Sequence, residues 1–212
     1  MGYYFISPYQ DPILNKPALS FWWLASILNT SEASIGTTLK PLVNGLRNTP
    51  GLLVSLHTFD VPDFYDWWST NIPPGRAGRN VLLGSRLLDA ASMSLNISFI
   101  AKKLEESFNG FALLGHLVGG PGVANALPPG GVGSMTPAWR KTITHLGKEL
   151  FSTYPLSRFC NDVLTLFHTV VPVIWPPYDD KAEAAASSKL TNQYVASLRD
   201  LAPDTGCYLN EV

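Results

Sequence analysis

The chain has 212 residues, a formal net charge of −1 and 15% charged residues, enough length for one well-buried domain over 1–212. No basic run offers a footprint for nucleic acid, and no apolar stretch reaches the roughly 18 residues that a membrane span needs. The opening MGYYFISPYQ has no basic region followed by an apolar core. It predicts no signal peptide and a cytoplasmic protein, and Ile6 stands where a myristoylation signal needs Ser or Thr.

Pro17 to Leu28, PALSFWWLASIL, predicts a first helix with Pro17 in its first turn. Leu39, Leu42, Val43 and Leu46 at helical spacing predict a second helix over Thr38 to Arg47, broken by Thr49-Pro50-Gly51. Gly51 to Asp60 alternates. It predicts a strand with Leu52, Val54 and Leu56 on one face and Ser55, His57 and Phe59 on the other. A short helix over Pro62 to Thr70 and the loop NIPPGRAGRN follow. Val81 to Leu88 predicts a strand, and Asp89 caps a helix running to about Phe108. In that helix Met93, Ile97, Ile100 and Leu104 form the expected core stripe, and Asn109-Gly110 ends it.

Phe111 to Val118 predicts a third strand, followed by the Gly- and Pro-rich GGPGVANALPPGGVGS, a lid or a plain surface loop. Trp139 to Leu146 predicts a fourth strand, and 150–178 gives no clear element. Lys181 to Leu201 predicts a helix stopped by Pro203, and Tyr208 to Glu211 a last strand. The expected fold is α+β, with helices stacked on one face of a largely antiparallel sheet.

Strand alternation nominates an opposite, open face. His57, Arg86, His116 and Tyr208 are the candidate catalytic residues, and Phe59, Trp139 and Asn210 the candidate substrate-binding ones. Imidazole, guanidinium and phenol groups can donate hydrogen bonds to a carbonyl or take a proton. Asp60, Asp63 and Asp66, spaced by three, suit a helix N-terminus better than a metal site. Trp22-Trp23 and Trp67-Trp68 suit core packing better than an aromatic cage. Cys160 and Cys207 read as two buried thiols, and no zinc-ligand spacing exists. The sequons at Asn29 and Asn96 fall in helical segments and do not argue for secretion. Neither a phosphate-cradling glycine motif nor a G-x-S-x-G elbow around Ser85 or Ser134 is present.

VLLGSRLLDA, TPAWRKTITH and LAPDTGCYLNEV occur in that order. Together they resemble three blocks of fungal FAD-linked oxidases of the berberine-bridge-enzyme-like group, a vanillyl-alcohol-oxidase-type family. The resemblance covers residue 81 onward and implies the substrate-binding domain of such an oxidase. The family's flavin sits mainly on a separate domain, often tethered through a His and a Cys for which this sequence has no counterpart. The expectation is therefore a cofactor-free enzyme of fungal secondary metabolism. It would catalyse a cyclisation, pericyclic reaction, isomerisation or dehydration on a hydrophobic polyketide- or terpenoid-like substrate, and would pair as a homodimer through its bared face. The alternatives are a fragment of an FAD-dependent oxidoreductase, with FAD supplied by a separate flavin-binding chain, and a non-catalytic small-molecule binding protein.

Overall fold

The computed structural model describes residues 2–10, 15–71, 81–108, 112–131, 135–152, 173–176 and 178–208. By internal contacts the chain divides into two compact units, one of Met1–Ala25 with Arg76–Val212 and one of Ser26–Gly75.

The first unit is built on a sheet of β1 (Gly2–Gln10), β2 (Pro17–Ala25), β3 (Val81–Asp89), β4 (Leu113–Leu117), β5 (Thr142–Ser152) and the short β6 (Val173–Trp175). The order is β2-β1-β4-β5-β3, antiparallel at every step. β6 runs parallel to the last residues of β5, past the end of β4. The α+β fold with a largely antiparallel sheet is thus what the sequence predicts, but its first two strands are not. The run predicted as a helix over 17–28 is strand β2. A short apolar run reads equally as buried helix or strand. Cross-strand rings decide the matter here, with Trp22 lying 5.7 Å from Tyr3 and 6.1 Å from Phe5. Pro17 takes the first position of a strand, where its missing N–H does least harm.

Helices cover one face of the sheet. Leu88, Leu113 and Leu146 meet Ile100 of α4 (Ile97–Phe108) and Leu198 and Leu201 of α7 (Val195–Leu201) in one buried cluster. Each such side chain contributes roughly 1.5–3 kcal/mol by leaving water. A second cluster joins Trp175 of β6 to Ala186 of α6 (Asp180–Lys189) and to Leu190 and Tyr194 of a π-helical turn, Leu190–Tyr194. The helix predicted over Lys181 to Leu201 is therefore one continuous helical run with a wider turn in its middle.

Asp89 caps as expected, in a reciprocal capping box with Ser92. Its helix α3 (Ala90–Met93) then stops, and Asn96 recaps α4 through its side-chain oxygen, 2.9 Å from the Ser98 N–H. The break rotates the predicted core stripe. Ile100 is buried and Leu104 half-buried, but Met93 and Ile97 are exposed.

The second unit holds α1 (Glu32–Arg47) and α2 (Phe64–Asn71), with Val43 and Trp67 buried. Ser31 caps α1, which starts earlier than the apolar spacing predicts. The strand predicted over Gly51 to Asp60 is absent: the segment is irregular. Alternation favours a strand only where another strand supplies ladder bonds. Here side chains make the connections, with Asp60 accepting from the Glu32 N–H at 3.1 Å and Thr58 donating to Glu32 at 2.8 Å. The carboxylate of Asp63 accepts from the Asp66 N–H at 2.9 Å, the helix-start role expected of the acidic triplet.

Candidate functional site

On the face away from α4 and α7, strand register lines up one row of side chains. Tyr3 of β1 pairs with His116 of β4, His116 with His145 of β5, and His145 with Leu87 of β3. Directly paired residues of an antiparallel sheet share a face. The two imidazoles stack, with centroids 5.7 Å apart and planes 19° from parallel. The covered face braces them from below. A Cβ at Gly115 would fall inside the Tyr4 ring, so glycine there lets that ring cross β4. The Tyr4 hydroxyl lies 3.0 Å from Thr144 Oγ1, and Thr144 Oγ1 in turn donates to the His116 carbonyl at 3.1 Å.

Two further rings reach this row from outside the sheet. Trp139 sits on a 3-10 turn, Pro137–Arg140, and its ring lies 5.8 Å from that of His145. That turn is firmly held: Arg140 Nη1 donates to the carbonyls of Val123 and Ala126 at 2.7 Å each, and Thr142 Oγ1 to that of Ala138 at 2.7 Å. The Gly- and Pro-rich loop is thereby tied down at α5 (Pro121–Ala124). Gly119 adds to this, since a Cβ there would strike the Thr142 carbonyl. Tyr208 follows the turn after α7, with its ring 6.2 Å from His145 and 6.3 Å from Trp139, edge-on to both. His145 is 8% exposed and Tyr208 43%, so the imidazoles form the floor and the phenol the rim.

Of the residues predicted from sequence, His116, Trp139 and Tyr208 come together. Arg86 does not join them. It pairs with Leu146, which places it on the helix-covered face with Leu88. Its Nε donates to the Ala202 carbonyl at 3.0 Å, and its Nη2 to those of Pro203 at 2.8 Å and Thr205 at 3.1 Å. Burial pulls its pKa below the ordinary guanidinium value, with nearby Cys207 opposing and Arg199 reinforcing the shift. His57 and Phe59 belong to the 26–75 unit, both exposed on the irregular segment, so the parity that put them on the open face does not apply. Asn210 lies outside the described residues, as do Cys160, Ser134 and all of the strand expected over Tyr208 to Glu211 except Tyr208, which is irregular. Cys207 is a half-buried free thiol.

Sequence reasoning missed His145. The signal was there, since His145 falls at an even spacing from Trp139 within the predicted fourth strand. Trp139 itself precedes the strand, so its approach to His145 is a property of the turn and not of alternation.

The arrangement offers two imidazoles able to accept or donate a proton, a phenol at the rim and a flat indole wall. Burial raises the Tyr3 pKa, which keeps that end of the row a neutral phenol. No group of potential metal ligands is found among the described residues. A dinucleotide's phosphates find no cradle there among the described residues. Gly119-Gly120-Pro121-Gly122 opens a helix of only four residues, without the spacing of a pyrophosphate-binding turn.

The chain is 26% identical, over 221 aligned positions, to an uncharacterized FAD-linked oxidoreductase of Arthroderma benhamiae. The alignment takes in 99% of this chain and 33% of that protein, so the chain spans about a third of the relative's length. No family model matches the chain, and no solved structure matches it. Among the described residues, no helix is long and apolar enough to cross a membrane.

Proposed function

We propose that the open face of the sheet is the substrate wall of an FAD-linked oxidoreductase acting on a small apolar alcohol or phenol. The flavin's nucleotide part would be held by protein outside the described residues. One observation carries the reading: a stacked imidazole pair bounded by Trp139 and Tyr208, in a chain aligned almost end to end with part of an FAD-linked relative.

FAD, when bound, supplies an acceptor for the hydride leaving a substrate carbon. This chain's share is proton handling and orientation. A neutral imidazole takes the hydroxyl proton as the C–O bond gains double-bond character. The Tyr208 hydroxyl donates to the substrate oxygen from the rim, and the Trp139 indole gives an aromatic substrate a flat surface.

A cofactor-free cyclase or isomerase would use the same wall for proximity and hydrogen bonding, with the bared face paired in a homodimer. The FAD-linked relative favours the oxidoreductase over that reading and over a carrier protein. The test is anaerobic mixing with a panel of aryl alcohols and phenols, using the chain alone and in a flavin-bearing assembly. Bleaching of the flavin band is expected only in the assembly, slowed by His145→Gln. Conversion of any substrate by the colourless chain alone would overturn the proposal in favour of the cofactor-free enzyme.

A further inference from the structure

We infer that Arg86 is a positioning residue for Tyr208, acting across the sheet through the turn that follows α7. The inference rests on the site proposed above only in taking Tyr208 as part of it.

Arg86 and Leu87 are adjacent on β3 and face opposite ways, yet both bind the same short segment. From the covered face the Arg86 guanidinium holds the carbonyls of Ala202, Pro203 and Thr205. These are the last carbonyls of a helix and its exit turn, the negative end of the helix dipole, where a cation is favoured. From the strand backbone, the Leu87 N–H donates to the Gly206 carbonyl at 2.8 Å. The Leu87 carbonyl lies 2.6 Å from Thr205 Oγ1, which also stands 2.9 Å from the Ala202 carbonyl. The segment from Ala202 to Gly206 is thus fixed to β3 at two consecutive residues. Leu87 is also the direct cross-strand partner of His145. The chain therefore leaves its last anchor beside the strand position opposite His145. Two residues later it places the Tyr208 ring against His145 and Trp139.

The guanidinium suits this role because its planar fork serves several carbonyls from one rigid group. A lysine ammonium is a point charge on a flexible stem and does not reproduce the fork. Replacing Arg86 should then release the rim of the site and leave its floor, since the His116–His145 stack is fixed by the ladder between β4 and β5.

The experiment is NMR of the full chain, following ring-to-ring cross-peaks between Tyr208 and both His145 and Trp139, with the methyls of Leu88 and Leu198 reporting on the core. In Arg86→Lys the Tyr208 cross-peaks should be lost, while the His116–His145 contact and the core methyl shifts persist. Thr205→Val, which removes the hydroxyl from the same turn and leaves Arg86 in place, should weaken the same cross-peaks. Unchanged Tyr208 cross-peaks in Arg86→Lys would overturn the inference. So would their loss together with the core methyl pattern, or failure of both variants to fold, because Arg86 would then support the fold as a whole. None of these readouts needs turnover, so the inference can fail while the oxidoreductase reading stands, and the reverse.

Discussion

Leu146 and His145 are neighbours on β5, and both are buried, at 1% and 8% exposure. Leu146 points into the aliphatic cluster under α4 and α7. His145 points the other way, into a ring of aromatic side chains. Burial therefore does not separate core from site in this sheet. What separates them is the company each side chain keeps. The covered face is filled by packing, and Thr144 on it is used internally, by Tyr4 and the His116 carbonyl. The opposite face gathers imidazole, indole and phenol groups in contact with one another.

The comparison breaks most readily at Leu146. Leu146→Ala leaves a cavity in a close-packed cluster and should cost about 2–5 kcal/mol, read as a shift in the denaturant midpoint at unchanged slope. A loss under about 1 kcal/mol would mean that the covered face repacks and is not the rigid half of the pair. His145→Gln should do the reverse. Flavin reduction in the flavin-bearing assembly should slow on the order of a hundredfold, about 2–4 kcal/mol in the barrier, with melting nearly unchanged. A melting loss as large as that of Leu146→Ala would assign His145 to the core.

Tyr208→Phe sharpens the contrast within the open face, since it removes one rim hydroxyl and keeps the ring. The expected slowing is about tenfold, the worth of one hydrogen bond of about 1–1.5 kcal/mol, with the ring contacts to Trp139 intact. Asp89, at the end of β3, gives a reference. Its carboxyl is held below the ordinary carboxylate range first by the Ser92 backbone N–H, with burial opposing and the Ser92 hydroxyl assisting. A depressed pKa means the cap's stabilisation is complete above the unfolded-state value and fades as pH falls through the folded one. Asp89→Ala should cost about 1 kcal/mol near neutral pH and less in acid, measured as melting temperature against pH.

Local chemistry was legible in the sequence. The Asp89 cap, the helix of 180–201, the strands β3 and β4 and the Asp63 helix start all follow from residues within a few positions of one another, where hydrogen bonds and apolar period are set by near neighbours. The same rules left the aromatic run of 17–25 ambiguous, because only the pairing of β2 with β1 distinguishes strand from helix there. They also gave the 51–60 segment a ladder partner that it does not have. Which side chains share a face was a tertiary decision. Alternation says that Arg86 and Leu87 oppose each other. Only the register of β3 on β5 says that Leu87 lies on the side of His145 and Arg86 on the side of the helices. Trp139 and Tyr208, far apart in sequence and neither on a strand of the sheet, meet His145 because Arg140 and Arg86 each hold a turn by its carbonyls. The sequence determined the elements and the chemistry available to them. Long-range pairing and two arginine-held turns decided which of those groups stand together.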